Sequence, residues 1–326
     1  MIDRRTFGLA AATLCLGLRP ATQARAEAWP GKTLRIIVPA PPGGPNDILA
    51  RLVAQRLQAD VKQSVIIENV AGGGGTIAAK AAARADADGH TLLLGNTNLL
   101  AVIPSVSRSP GYDPGRDFAA VAKISDAFQI LVSHPAFPPN TVQELLAFAK
   151  ANPGKLNYAS VGYGTLPHLA GELLKSATGI DAAHVPYKGD GEIVSAILGN
   201  HVHLSFVSVA VALPLVKEGK LKALAVTSAA RAADLPDVPT VRESGVPDYV
   251  VTSFFGVVAP AATPAKIVDA LNRWINGILK SDDMRASLSK LGMQANSGTA
   301  ADFATFIKGE AEKWKRVTTA AGIATD

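Results

Sequence analysis

Cysteine is almost missing from this chain. Cys15 is the only one in 326 residues, and it lies in a stretch that reads as an export leader. A lipid anchor on it would want a small residue before it, and Leu14 stands there. Without that leader the chain has no disulfide framework and no thiolate chemistry. Long apolar runs are also missing. Gly8 to Leu18 is shorter than the roughly 20 residues a membrane helix needs, and later runs are broken by Gly, Pro or charge. Aromatic residues make up 6%, and no basic stripe interleaves with them, which excludes a nucleic-acid partner. The net charge of +5 misleads, because Arg4, Arg5, Arg19 and Arg25 oppose only Asp3 in the leader. Beyond it stand 28 of the 32 basic and 26 of the 27 acidic residues.

What is present is apolar and regular. Hydrophobic residues make up 48% and charged residues 18%, the balance of a globular chain. Residues 1–26 carry Arg4-Arg5-Thr6-Phe7, an apolar run and Ala24-Arg25-Ala26. That order fits an exported protein cleaved near Ala26, with the paired arginines of the twin-arginine route. It places the mature chain in the periplasm.

Short β-type runs alternate with helical patterns. Strands are expected at 34–38, 65–68, 91–94, 130–133, 156–159, 184–187, 202–206, 221–226 and 254–258. Helices are expected at 47–60, 76–85, 141–151, 167–178, 192–198, 264–280 and 300–321. The alternation implies an α/β fold with mostly parallel sheets flanked by helices. Thr141 with Glu144 reads as a capping box, Thr263-Pro264 as a cap with proline in the first turn, and Gly179 as a helix stop. Ile130–Pro135 and Phe254–Pro260 share a strand-loop-helix layout, the two crossings a chain needs to leave one domain and return. The expected division is 27–126 plus 251–326 for domain 1 and 127–250 for domain 2, joined by paired strands.

Three glycine loops occupy strand-to-helix junctions. Pro41-Pro42-Gly43-Gly44-Pro45 leads to Asn46, an expected N-cap, and Asp47 in the first turn. Gly72 to Gly75 leads to Thr76, and Ser160 to Thr165 leads to the 167–178 helix. A helix begins with four N–H groups lacking partners, and its dipole makes that end positive. Loops without bulky or cationic side chains let an anion or carbonyl reach those groups.

Rival motifs fit less well. Gly31-Lys32-Thr33 lacks the first glycine of a P-loop and precedes a strand instead of following one. Gly162-x-Gly164-x-x-Pro167 lacks the third glycine of a dinucleotide fingerprint. Ser160 as a hydrolase nucleophile, with His168 or His184 as base, would want Gly at 158, where Tyr158 stands. His201 with His203 and His168 with Glu172 are half-sites for a metal with no completing ligands. No metal, no cofactor and no catalytic residue are expected.

The segments "RIIVPAPPGGPNDILAR", "VIIENVAGGGGTIAAKAAARADADGHTLLLGN", "YDPGRDFAAVAKIS", "ANPGKLNYASVGYGTLPHLAGELL", "HVPYKGDGEIVSAILG", "LPDVPTVRESGVPDY" and "GVVAPAATP" together resemble the Bug-type, or tripartite tricarboxylate transporter, extracytoplasmic solute-binding proteins. The resemblance implies a two-domain periplasmic binding fold that closes on a small carboxylate held by loop amides and hydroxyls. It also implies a monomer that serves a tripartite tricarboxylate-type membrane transporter, or alternatively a sensor-kinase ectodomain. Carried over by position, it assigns Pro42, Gly43, Gly44, Asn46, Asp47, Asn96, Thr97 and Asn98 to the ligand in domain 1, with Asp47 orienting the helix start. In domain 2 it assigns Ser160, Gly164, Thr165, His168 and Tyr187, with Ser160 and Thr165 as hydroxyl donors and Lys188 at the mouth. Val207 and Ser208 stand where many members carry an acidic or amide residue, and Phe254 where many carry Trp. Ser208 is kept as a ligand contact, and the missing acid favours a plain aliphatic or aromatic acid over an amino acid.

Overall fold

The computed structural model describes residues 29–107 and 109–323. The leader reading falls outside these residues. One twisted sheet organises the molecule. Its strands are β1 Leu34–Val38, β2 Val65–Asn69, β3 Thr91–Asn96, β4 Phe118–Ser133, β5 Asn157–Ser160, β6 Ala183–Pro186, β7 Leu204–Ser208, β8 Lys222–Val226, β9 Thr252–Pro260 and β10 Met293–Ala295. The order is β2-β1-β3-β9-β4-β7-β5-β6, with β8 and β10 also paired to β4. Parallel pairs β2-β1-β3 and β7-β5-β6 form the two ends. Antiparallel β9 and β4 join them.

β4 is the joint. It runs for 16 residues, and its first part pairs with β9 from Phe118↔Pro260 to Phe128↔Thr252. From Gln129 onward it pairs with β7 and β8 instead. Only its last four residues read as strand in the sequence. The stretch before them is alanine-rich, carries Lys123 and Asp126, and shifts register twice, which scrambles the period-two pattern a half-buried strand would show.

Helices cover both faces. They are α1 Pro45–Val61, α2 Thr76–Ala83, α3 Ile103–Val106, α4 Pro114–Asp117, α5 Val142–Ala151, α6 Leu166–Thr178, α7 Asp190–Leu198, α8 Val209–Lys217, α9 Ala265–Lys280, α10 Asp282–Lys290 and α11 Ala300–Ala320. α1 buries Leu49, Ala50, Val53, Ala54, Leu57 and Val61, the i, i+3, i+4 stripe of a helix on a sheet. With α9 it closes one face over Leu34, Ile36 and Leu92. On the other face a single apolar cluster runs from Ile37, Leu93 and Leu99 through Phe254, Phe303 and Trp314 to Leu131, Leu169, Phe206 and Tyr249. It therefore spans both ends of the sheet. A third cluster, with Ile130, Val132, Ile193 and Ile197, belongs to the β4–β7 end.

The caps correct the expectations in detail. Thr141 accepts the Glu144 N–H at 3.1 Å, but Glu144 returns the bond to Asn140 N–H rather than to Thr141. Pro264 is itself the N-cap of α9, and Gly179 ends α6 in the left-handed region at φ +69°. Ser281 starts α10, a helix absent from the expected set, by accepting the Met284 N–H. Among the described residues no helix is long and apolar enough to cross a membrane.

Candidate functional site

The loop between β1 and α1 ends in Gly44, the N-cap, which has extended backbone and no side chain to cap with. Pro45 is the first helical residue. Its fixed φ and missing N–H suit that place, so the cap passes to Gly44 and Asn46 falls at the second helical position, two places later than expected. Asp47 folds back beneath the loop. One carboxylate oxygen accepts Gly43 N–H and Arg51 Nε–H, both at 2.9 Å, and the other accepts Asn69 Nδ2–H at 3.0 Å. The Arg51 hydrogen bond, followed by those from Gly43 and Asn69, outweighs burial and holds this carboxyl at about 2. Asp47 is 3% exposed and has no oxygen left for a ligand; it orients the helix start. Gly43 likewise spends its N–H on Asp47.

The end of β3 forms the next wall. Asn96 Nδ2 donates to Asn46 Oδ1 at 3.2 Å, and Asn96 Oδ1 accepts Leu99 N–H at 3.0 Å. Asn98 donates to Gly74 O at 3.2 Å, tying the Gly72–Gly75 turn to this wall. Thr97 is buried and its Oγ1 accepts Phe254 N–H at 2.7 Å. It fastens β3 to β9.

At the other end of the sheet, β5 leads through Ser160–Thr165 into α6. Ser160 is fully buried. Its Oγ accepts Gly162 N–H at 3.1 Å and lies 2.6 Å from His184 Nε2. Thr165 Oγ1 donates to Gly162 O at 2.6 Å and leaves α6 without a side-chain cap. The hydroxyls expected to meet a ligand are thus consumed in shaping their own loop. Burial, and then the neighbouring His168, push the His184 imidazole down to about 4. A serine beside an imidazole invites comparison with a hydrolase. Here Ser160 is inaccessible, and His184 Nδ1 is buried with no carboxylate or other partner to orient it.

α1 and α6 come together at one cavity of about 160 Å³. Its polar wall is Asn46, Asn96, Thr97 and Asn98, and Gly164 and Leu166 enter from the α6 side. Val102, Ser253 and Phe255 complete it. Among the described residues no lysine or arginine lines it. Two helix N-termini without side-chain caps, from opposite ends of the sheet, therefore share one neutral, small pocket. Such an arrangement suits a small anion. Ser253 and Phe255 were missed in the sequence, although strand alternation could have found them. Phe254 points into the core against Phe303 and Phe306, so its neighbours face the opposite side.

Other expected contacts lie elsewhere. Pro42 is exposed on the loop outside the cavity lining. Tyr187 lines a separate depression with Gly191, Glu192, Ser195 and His201. Ser208 donates to Asp190 Oδ2 at 2.7 Å across the starts of α7 and α8. A larger groove of about 900 Å³ lies beside Tyr112, Arg116 and α11, but Arg116 is already paired with Asp117. Among the described residues no group of three or more His, Cys, Asp or Glu could hold a metal.

The chain is 36% identical over 293 residues to protein BugT of Bordetella pertussis, covering 90% of each chain. The R. palustris protein Rpa4515, solved with adipate, shares 36% identity at a TM-score of 0.74, covering 91% of this chain and 99% of that one. MatC of Rhodopseudomonas palustris, solved with malate, shares 31% at 0.70, covering 89% and 99%. A ligand-free TctC solute-binding protein from Polaromonas shares 26% at 0.82, again covering 89% and 99%. The neighbours share the two-domain periplasmic binding fold. The family model of the tripartite tricarboxylate transporter family receptor matches residues 49–323, and this chain belongs to that receptor family, TctC.

Proposed function

We propose that this protein is a periplasmic receptor that captures a small carboxylate between two lobes and delivers it to the membrane subunits of a tripartite tricarboxylate-type transporter. The lobes are 27–126 plus 251–326 and 127–250, and residues 1–26 are the export leader. The convergence of the α1 and α6 N-termini on one neutral cavity carries the reading. The backbone amides of Asn46 and Leu166 and the Asn98 side chain, at the cavity wall, with the amide of Gly44 at the N-cap just outside that lining, are the donors for the acid group. The adipate and malate bound by relatives are of the same chemical class. Closure about the β4–β9 joint removes the ligand from water and presents a new surface to the membrane partner.

Four or five charge-assisted hydrogen bonds give roughly 6–15 kcal/mol, of which association and closure cost several. A dissociation constant between micromolar and tens of nanomolar follows, equivalent to about 8–10 kcal/mol. Calorimetry with aliphatic mono- and dicarboxylates tests this. A Cβ at Gly44 would meet nothing nearer than Pro41 O at 3.9 Å, so Gly44→Val should fold yet bind at least about tenfold more weakly by blocking one such bond. A panel without any binder, or wild-type affinity in that variant, would refute the reading.

A further inference from the structure

The loop that presents α6 is held by an imidazole. Gly164 N–H donates to His168 Nδ1 at 3.0 Å. His168 belongs to the first turn of α6, is 3% exposed, and reaches back over the loop. A ring nitrogen that accepts an N–H carries no proton, so His168 is the neutral ring protonated at Nε2. His184 of β6 stacks on it, centroids 4.0 Å and planes 28° apart. Tyr163 stands edge-on to both rings. Gly164, in the left-handed region at φ +71°, lines the cavity.

We propose that His168 is a positioning residue: as the neutral imidazole it pins Gly164, and with it the loop that aims α6 at the ligand, whereas a proton on the ring frees the loop and weakens binding. The inference rests on the receptor reading for its effect on ligand, though not for its effect on the loop. A protonated Nδ1 is a donor, and it would face the Gly164 N–H, also a donor. Two charged rings in the His168–His184 stack would repel as well.

The surroundings decide when this happens. On α6, Glu172 favours the charged ring and Lys175 opposes it; Glu172 already accepts from Tyr158 OH at 2.7 Å and from Lys175 at 2.8 Å. β5 brings Tyr158, β6 brings His184 and the loop brings Tyr163, all within ring-packing distance. Tyr249 spends its hydroxyl on Ala170 O at 2.9 Å. α11, which also packs on α6, carries Glu310 and Lys313 paired with each other. Burial dominates and lowers the His168 proton affinity, so the latch is shut at neutral pH and opens on acidification.

The test uses the ¹⁵N-labelled mature protein from about pH 7.5 down to about pH 4.5, with ring ¹⁵N shifts reporting His168 and hydrogen exchange reporting Gly164. Gly164 exchange, corrected for its intrinsic pH dependence, should lose protection by about tenfold in step with His168 protonation. His168→Asn supplies an acceptor near the Nδ1 position that does not titrate, and its Gly164 should stay protected throughout. With adipate as probe, the ratio of wild-type to His168→Asn dissociation constants cancels the titration of adipate itself. That ratio should be near one at neutral pH and rise to about tenfold in acid. Gly164 protection that ignores His168 titration, or a ratio that stays flat while both proteins bind, would overturn the proposal. If neither protein binds adipate, that counts against the ligand class, and Gly164 exchange alone decides the latch.

Discussion

Replacing Asp47 by Asn removes one charge and almost no volume, and the structure says why that should matter. Asp47 faces three donors: Gly43 N–H, Arg51 Nε–H and Asn69 Nδ2–H. An asparagine can keep its oxygen toward Gly43 and Arg51, but its NH₂ then faces Asn69 donor to donor. Asn69 cannot turn over to relieve this, because its Nδ2 also donates to Ala40 O at 3.0 Å. The Arg51 bond is discounted, since that side chain is 55% exposed and screened by water. The loss of one charge-assisted bond and the unmatched donor remain, together about 2–3 kcal/mol. Thermal unfolding should drop by about 4–12 °C, at roughly 2–4 °C per kcal/mol. The freed Gly43–Gly44 turn should also weaken carboxylate binding severalfold in calorimetry. The pH dependence has a defined sign. A carboxyl held at about 2 stabilises the fold fully above the ordinary carboxylate range and loses that effect as pH falls toward 2. The gap between wild type and Asp47→Asn should therefore be widest near neutrality and narrow in acid. Equal melting temperatures at neutral pH, with equal affinity, would refute the role given to Asp47.

His184 gives a second pH effect of opposite chemistry. Its imidazole is pushed down to about 4, so an unfolded chain takes up a proton first, and stability should fall as pH drops from about 6.5 toward 4. His184→Phe should flatten that slope in thermal melts across this range; an unchanged slope would contradict it. Trp314 is fully buried, with its indole N–H on Glu310 at 3.0 Å. Trp314→Ala should cost about 3–5 kcal/mol. Because its cluster runs through both ends of the sheet, denaturant unfolding should stay a single transition, and two separate transitions would count against that coupling.

Residues that act through neighbours in the chain were legible. The β1 strand, the α1 and α6 stripes, the Gly179 stop and the glycine loops follow from local pattern, and those loops do stand at the cavity or support it. The sequence motif also marked Ser160, Thr165 and His168 as important. It could not say that their polar atoms turn inward, because hydrogen-bond partners such as His184 come from another strand. β4 hid behind alanines and two register shifts, and α8 behind β-branched residues and Pro214.

By itself, then, the sequence determined the alternation of strands and helices and the glycine loops at the helix starts, since both depend on spacing and backbone freedom over a few residues. Only the tertiary structure decided which amides remain free. Asp47 takes the Gly43 N–H and His168 that of Gly164 across four residues each, but distant partners hold the two acceptors in place, Asn69 for Asp47 and the His184 ring for His168. It also brought Phe255 and Leu166 to one cavity, because the crossing of β4 and β9 sets the two helix ends face to face.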